Sequence, residues 1–450
     1  MVLTSIVENS MKNIPVIAFF SMLTLTTTVA QEKLSLQQAI QIALERNISI
    51  IGAKNQMEIQ QSGVLTEYGR LLPNISASGT WSRSGASFDA TPLIPSGVSA
   101  GGSTVASVDA SITISNGLTN FSSIERAKNL AGASEYDYQQ SRQSIALAVQ
   151  QAYLTVLRNK QLLKVSEDNL KRSRQQLSRI EESNKVGAVA KADLYRQQVQ
   201  TANDELAVIN AQSAYDNSKN ELLYLLALDV TKEYELDDEG VLKEVEQIDS
   251  TYKSEMYDYD KLVEEALASR PDYQASLLSR DASANSLTIA KLGHYPSLTL
   301  SGGYGQRFIG GSDFSNFTDR GEWDIALTVR VPIFSGFQVS TAVQTSQLNY
   351  ELAQQNLEQT KRKVQKEIRT ALLNLETARK KVEVSLKNVV SAEEDRRIAE
   401  ERYNLGSNTL LDLLVATANY TNALSNKVSA AYDFLYAKQQ FRIAVGRDKY

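Results

Sequence analysis

His294 is the only histidine in a chain of 450 residues, and cysteine is absent. A Ser-His-Asp triad would have to rest on that one imidazole. Multi-histidine zinc sites, thiolate metal sites, cysteine nucleophiles, disulfides and a lipidated N-terminal cysteine are all excluded. His294 stands near Pro296, away from any acid-rich cluster. There is no phosphate loop, metal-ligand spacing or nucleophile motif. The residues therefore point away from an enzyme, and they imply no cofactor and no metal. Two carboxylates stand out by context, Asp193-Leu194 and Asp412-Leu413. The simplest chemistry for each is a helix N-terminal carboxylate favoured by the macrodipole. With 47 basic and 52 acidic residues the net charge is −5, so no basic footprint for nucleic acid exists.

The elements that hold these residues are read from where the helix breakers fall. No proline occurs between Ser96 and Arg270 or after Pro332. Between Ala133 and Glu239 the only glycine is Gly187, and between Phe337 and Val445 the only one is Gly406. Two long stretches thus lack breakers, each interrupted once near its middle. The remaining punctuation gathers at about 69–117 and 293–336.

The chain repeats itself. Leu72-Pro73-Asn74-Ile75 through Trp81 aligns with Tyr295-Pro296-Ser297-Leu298 through Tyr304, and the same offset places Ala43-Leu44 on Ala266-Leu267. Further on, Gly117 falls on Gly336, Val186-Gly187 on Leu405-Gly406, and Asp193-Leu194 on Asp412-Leu413. Each half reads as helix, strand, loop, strand, very long helix, turn, helix. A period this long marks a duplicated domain and not a solenoid.

Val149, Val156, Leu163, Leu170 and Leu177 recur every seven residues, as do Ile368, Leu375, Val382 and Val389. A second register, Val364, Ala371, Ala378, Ser385 and Ala392, is mostly small. A strict heptad predicts left-handed supercoiling, and two seams predict two flanking neighbours. A helix from Phe121 to Ser183 would be on the order of 95 Å long, too long to bury itself in one compact domain. The charge runs Lys171-Arg172 and Lys361-Arg362-Lys363 read as solvated faces.

The punctuated zones alternate. Ile75, Ala77, Gly79 and Trp81 interleave with serines and Thr80; Val108, Ala110, Ile112 and Ile114 interleave with polar residues. Leu298 through Tyr304 and Trp323 through Ile333 do the same. Alternation over about ten residues fits a membrane barrel strand, with Trp81, Tyr304 and Trp323 as girdle candidates. A soluble sheet with one wet face has the same period. Four strands cannot close a barrel, for which about eight are needed, so oligomerisation is expected.

Lys12, the apolar run Ile14–Leu25 and Thr28-Val29-Ala30 have the order of a secretory signal. Cleavage after Ala30 would leave Gln31 first. The run is short of the ~20 residues a membrane anchor needs. The chain then divides into a signal peptide (1–30), a first repeat (31–228, strands near 74–83 and 106–116), an acidic linking segment (229–259) and a second repeat (260–450, strands near 297–307 and 322–334). An exported coiled-coil spacer or filament protein without channel activity would share the helices and the signal, but not the strands or the in-phase duplication.

With this layout the sequence resembles the TolC-like outer-membrane efflux proteins. The local marks are the opening Leu34-Ser35-Leu36-Gln37-Gln38-Ala39-Ile40 and Leu71-Leu72-Pro73 before the first strand. Val331-Pro332-Ile333-Phe334-Ser335-Gly336 ends the last strand, and Tyr403-Asn404-Leu405-Gly406 precedes Asp412-Leu413-Leu414. The resemblance covers nearly the whole mature chain. It implies a mainly α protein with a transmembrane β-barrel portion. A homotrimer would form a 12-stranded barrel in outer-membrane lipid above a 12-helix coiled-coil α-barrel in the periplasm. It implies a passive exit duct of a tripartite efflux or type I secretion system. The partners would be a periplasmic adaptor (membrane fusion) protein and an inner-membrane transporter of RND or ABC type.

Carried over by resemblance, Val186, Gly187, Ala188, Leu405, Gly406 and Ser407 are the adaptor-contacting helix tips. The bare reading of those glycines is that they end helices. Asp412, Tyr403 and Asn408 are the counterparts of the family's periplasmic gate. Three copies of Asp412 would crowd carboxylates in a narrow pore and raise their own pKa values. The sequence departs from the family pattern at Asn408, where a basic residue serves the gate lock, and at Val415, where a second acid stands. For Asp412 the pore role and the helix-capping role stand side by side.

Overall fold

The computed structural model describes residues 33–84, 101–238, 241, 243, 258–309, 321–448 and 450. The expected signal peptide, most of the linking segment and most of both strand-joining loops lie outside them. The described elements run β1 (Lys33–Leu34), α1 (Leu36–Arg46), α2 (Ile48–Gly69), β2 (Asn74–Ser84), β3 (Gly101–Ser115), α3 (Thr119–Lys185) and α4 (Lys191–Leu225). They continue with β4 (Glu235–Leu236), α5 (Tyr259–Ser269), α6 (Pro271–Leu292), β5 (Ser297–Ile309), β6 (Gly321–Arg330), α7 (Gln338–Asn404) and α8 (Leu410–Val445).

The repeat is visible in the lengths. Helices α1 and α5 have 11 residues each, α2 and α6 have 22, and α3 and α7 have 67. A 67-residue helix spans about 100 Å at 1.5 Å per residue. The large heptad seam is buried at Val149, Val156, Leu163, Leu170, Ile368, Leu375, Val382 and Val389. Leu177 is half-buried. The small seam is buried from Val364 to Ser385, with Ala392 half-buried. Helix α3 is the hub, packed on α2, α4, α6 and α8, while α7 packs on α6 and α8. The helices therefore lie side by side as α2–α3–α6–α7 near the sheet and as α4–α3–α8–α7 toward the tips.

Strands β2, β3, β5 and β6 form one antiparallel sheet in that order. Its two faces differ as the alternation requires. Ile75, Trp81, Tyr304, Trp323, Ile325, Leu327 and Val329 stand on one face, 51–74% exposed. On the other, Ser78 and Ser107 hydroxyls lie 2.9 Å apart and Ser107 donates to Asp109 at 2.8 Å. Strand β3 begins at Gly101, earlier than the expected 106, because Gly101 and Gly102 pair with β2 and the residues from Ser103 on pair with both β2 and β5. Strand β6 stops at Arg330, short of the expected 334. Pro332 has no N–H to offer a ladder.

Both strand-to-helix junctions place two successive residues in the left-handed region, Gly117-Leu118 (φ 65 and 72) and Gly336-Phe337 (φ 57 and 64). A Cβ on Gly117 would sit 2.7 Å from Tyr295 Cβ, so position 117 admits only glycine on two counts.

The densest packing lies near the middle of the molecule, where α1 and α5 lie against the long helices. Tyr153 is fully buried there, with its hydroxyl 2.9 Å from the Leu34 carbonyl and 2.6 Å from the Asp237 carbonyl. It pins the short parallel pair β1–β4, which ties the start of the described chain to the segment between the repeats. Burial pushes the Tyr153 pKa far above its ordinary value, so it stays a neutral donor. The Arg270 guanidinium is also buried; it donates to Asp272, to Glu367 at 2.7 Å and to the Ala444 carbonyl at 3.2 Å.

Candidate functional site: the helix tips and the seam above them

Helices α3 and α7 both end in the same way. Gly187 takes φ 75 and Gly406 φ 72. Gly187 N–H donates to the Asn184 carbonyl (3.0 Å) and Ala188 N–H to the Ser183 carbonyl (2.9 Å). Gly406 and Ser407 repeat the pattern on Tyr403 (3.0 Å) and Arg402 (2.9 Å). This is the Schellman closure, in which two carbonyls at the helix end are satisfied by the turn itself. Each turn must therefore be tight, and each presents an apolar side chain at its apex: Val186 is 80% and Leu405 82% exposed. Gly187, Ala188, Gly406 and Ser407 are exposed as well.

The two turns differ in how the next helix starts. Thr409 accepts from Asp412 N–H at 3.2 Å while the Asp412 carboxylate accepts from Thr409 N–H (3.2 Å) and Thr409 Oγ1 (2.6 Å), a full capping box. At the first tip the equivalent cap is Ala190, which has no side-chain bond to give. The Asn184 side chain instead donates to the Val189 carbonyl at 2.7 Å and braces the turn from within.

The capping bonds from Thr409 hold the Asp412 carboxyl below the usual carboxylate range. Within one chain this is opposite to the upward shift expected from crowded carboxylates. Among the described residues the Asp412 side chain hydrogen-bonds to Thr409 and makes no hydrogen bond to Tyr403 or Asn408. Tyr403 packs with Ala399, Leu413 and Ala416 between α7 and α8. Burial, and then the negative charge of Asp193, raise the Tyr403 pKa. Asp193 itself lies 3.1 Å from Arg196. The structure thus brings Tyr403 near Asp193, the repeat mate of Asp412. Asn408 is half-buried in the turn, and Val415 is 52% exposed.

Above the tips the seam between the two helical hairpins is polar, which heptad reading missed. Gln197, Thr201 and Asp204 are buried on α4. Asp204 accepts from Asn169 (3.0 Å) and from Gln200 (3.0 Å), and Thr421 of α8 donates to Asn169 at 2.9 Å. The available signal was the spacing of Gln197, Thr201 and Asp204, three polar residues on one helical face. Arg172 also departs from expectation. Lys171 is exposed, but the Arg172 guanidinium turns inward against the Tyr420 ring at 5.8 Å, because Arg172 lies three residues on from Asn169, on the helical face that lines the seam. Arg362 and Lys363 are exposed.

The described residues contain no group of three or more His, Asp or Glu side chains placed to hold a metal ion, and no helix among them is long and apolar enough to cross a membrane. An open-edged sheet with one apolar and one polar face, standing on helices about 100 Å long, defines the class of a channel wall seated by β-strands. The chain belongs to the outer membrane efflux protein family, whose sequence profile matches residues 39–228 and 262–447, one block per repeat. It is 25% identical over 326 residues to outer membrane protein TolC of Vibrio cholerae, covering 72% of each chain. It is 25% identical over 339 residues to TolC of Escherichia coli, covering 70% of this chain and 64% of that one. Its fold matches the Campylobacter jejuni CmeC outer membrane channel with a TM-score of 0.78 at 22% identity, over 92% of this chain and 86% of that one. It is an outer-membrane efflux duct that extends into the periplasm, and the spacer reading is set aside.

Proposed function

We propose that three copies of this chain close into one passive duct, the exit component of a tripartite efflux or type I secretion system. The observation that carries this reading is the order of elements across the chain. The sheet leaves β2 open at one edge and β6 at the other. The helical layer ends in α2 and α4 on one side and in α7 on the other. Opposite edges of one wall pair only with other copies, head to tail, and such a contact closes a ring when the rotation permits. The side chains along these edges fit. Tyr195, Val199, Leu206 and Ile209 form an apolar stripe on α4 that is 58–63% exposed, and Leu348, Leu352, Leu373, Val384 and Val390 are exposed on α7. A stripe of that kind on a long helix needs a partner helix. Three copies give twelve strands, enough to enclose a water-filled lumen whose wall is the polar face of the sheet. The apolar face then meets lipid.

The duct performs no chemistry. Val186 and Leu405 meet the periplasmic adaptor, which couples the duct to an inner-membrane transporter of RND or ABC type. Entry is controlled where α7 and α8 converge near Tyr403, Asn408 and Asp412. The test is single-channel conductance of the purified protein in a planar bilayer, wild type beside Asp412→Ala. Small cation-selective currents that lose selectivity in the variant support the duct and the gate. Currents indifferent to the substitution remove Asp412 from the gate, and no current from a folded preparation overturns the duct.

A further inference from the structure

Between α3, α4, α7 and α8 lies a cleft of about 260 Å³, formed within one chain and independent of any assembly. Its charges do not balance locally. Glu400 is shared by Arg396 (2.8 Å) and Arg179 (3.7 Å). Asp204 is held by Asn169 and Gln200 (3.0 Å each). Arg172 has no ion pair among the described residues; it lies over the Tyr420 ring at 5.8 Å, a ring it shares with Arg396 at 5.3 Å. Arg172 Nε and Nη2 are both buried and both lack a hydrogen-bond acceptor, and so does Arg396 Nε. Across the same cleft Gln197 is 1% exposed and its Oε1 is buried without a donor.

These orphaned atoms define a ligand by their chemistry. Nε and Nη2 are the side-on edge of a guanidinium, the edge that receives a carboxylate through two parallel hydrogen bonds. An unpartnered buried donor is costly, and a charged one more so. Gln197 Oε1 asks for an N–H or O–H donor on the same molecule. We infer that this cleft is a binding site for a small carboxylate bearing a hydroxyl or amine, with Arg172 as the carboxylate anchor and Gln197 as the acceptor for its donor group. The ligand sits between α3 and α4 of one hairpin and α7 and α8 of the other, so it braces the two hairpins just above the tips.

The experiment is isothermal titration calorimetry on the detergent-purified full chain with lactate, acetate and chloride as probes. Lactate is expected to bind saturably with one site per chain. Acetate, which lacks the hydroxyl, is expected to bind several-fold more weakly, and chloride weaker still. Arg172→Gln is expected to weaken lactate at least tenfold and Arg172→Lys by less, since lysine keeps the charge but not the two-pronged edge. Gln197→Met is expected to erase the preference for lactate over acetate without abolishing either. Circular dichroism and native mass check that each variant is folded, and the Gln197→Met comparison carries the test if Arg172→Gln is not. Absence of saturable lactate binding to the wild type overturns the inference, as does unchanged affinity in folded Arg172→Gln or Arg172→Lys.

Discussion

Ala227 occupies the same turn as Gly446. Ala227 ends α4 with φ 53 and Gly446 ends α8 with φ 79, and both turns use the same pair of backbone hydrogen bonds, Ala227 and Leu228 onto Tyr224 and Leu223, Gly446 and Arg447 onto Ile443 and Arg442. One repeat has the residue suited to the left-handed region and the other does not. Ala227→Gly is therefore expected to stabilise the fold by about 0.5–1 kcal/mol, the left-handed penalty less the extra entropy of glycine. Gly446→Ala is expected to cost more than that, because its Cβ would run into Ser269 Oγ at a position that is already left-handed. Thermal unfolding midpoints of the two variants in detergent check both signs.

The two tips invite a second comparison. Thr409→Ala removes a capping box and is expected to cost about 1 kcal/mol of local stability at the start of α8. Ala190→Ser supplies the missing cap in the first tip, where Asp193 already stands in the first turn, and is expected to stabilise α4 by a similar amount. Amide hydrogen exchange over the first turns of α4 and α8 reads the two effects separately.

The cluster around Arg270 gives a pH dependence. Burial works against the Asp272 carboxylate, but its hydrogen bonds and attraction to Arg270 outweigh burial and hold its pKa below the usual value. A depressed folded pKa adds stability that is complete above the unfolded value, near 4, and is lost as pH falls through the folded value. The unfolding midpoint is expected to hold above about pH 4 and to drop as pH falls below it. Asp272→Asn is expected to be about 2 kcal/mol less stable at pH 7 and flatter over that range. Guanidinium unfolding at stepped pH measures both.

Substitution at the apices separates contact from folding. Val186→Asp and Leu405→Asp change side chains that are 80% and 82% exposed, so unfolding midpoints are expected to move by less than about 0.5 kcal/mol. Efflux in a strain carrying the cognate adaptor and transporter is expected to fall sharply, most in the double variant. Normal efflux by the double variant removes these residues from the adaptor contact.

Much of this architecture was legible because its signals are local. Gly187 and Gly406 are the only glycines in their stretches, and both sit at left-handed turns. The heptad of Val149 and Val156 is a fully buried seam. Less legible were features set by non-local pairing. The start of β3 at Gly101 depends on partners in β2, and its own composition reads as loop. Arg172 looked solvated because the adjacent Lys171 is, but one residue turns a helical side chain by about 100°. Tyr403 and Asp193 are brought together by hairpin packing that no spacing within either repeat encodes.

If one chain is a third of a closed wall, the assembly is visible by native mass spectrometry of the detergent-purified mature protein. The expected result is a complex of three chains that persists as detergent is diluted toward its critical concentration. A folded species of one chain at every detergent concentration would contradict it, since β2, β6 and the α4 stripe would then have no partner.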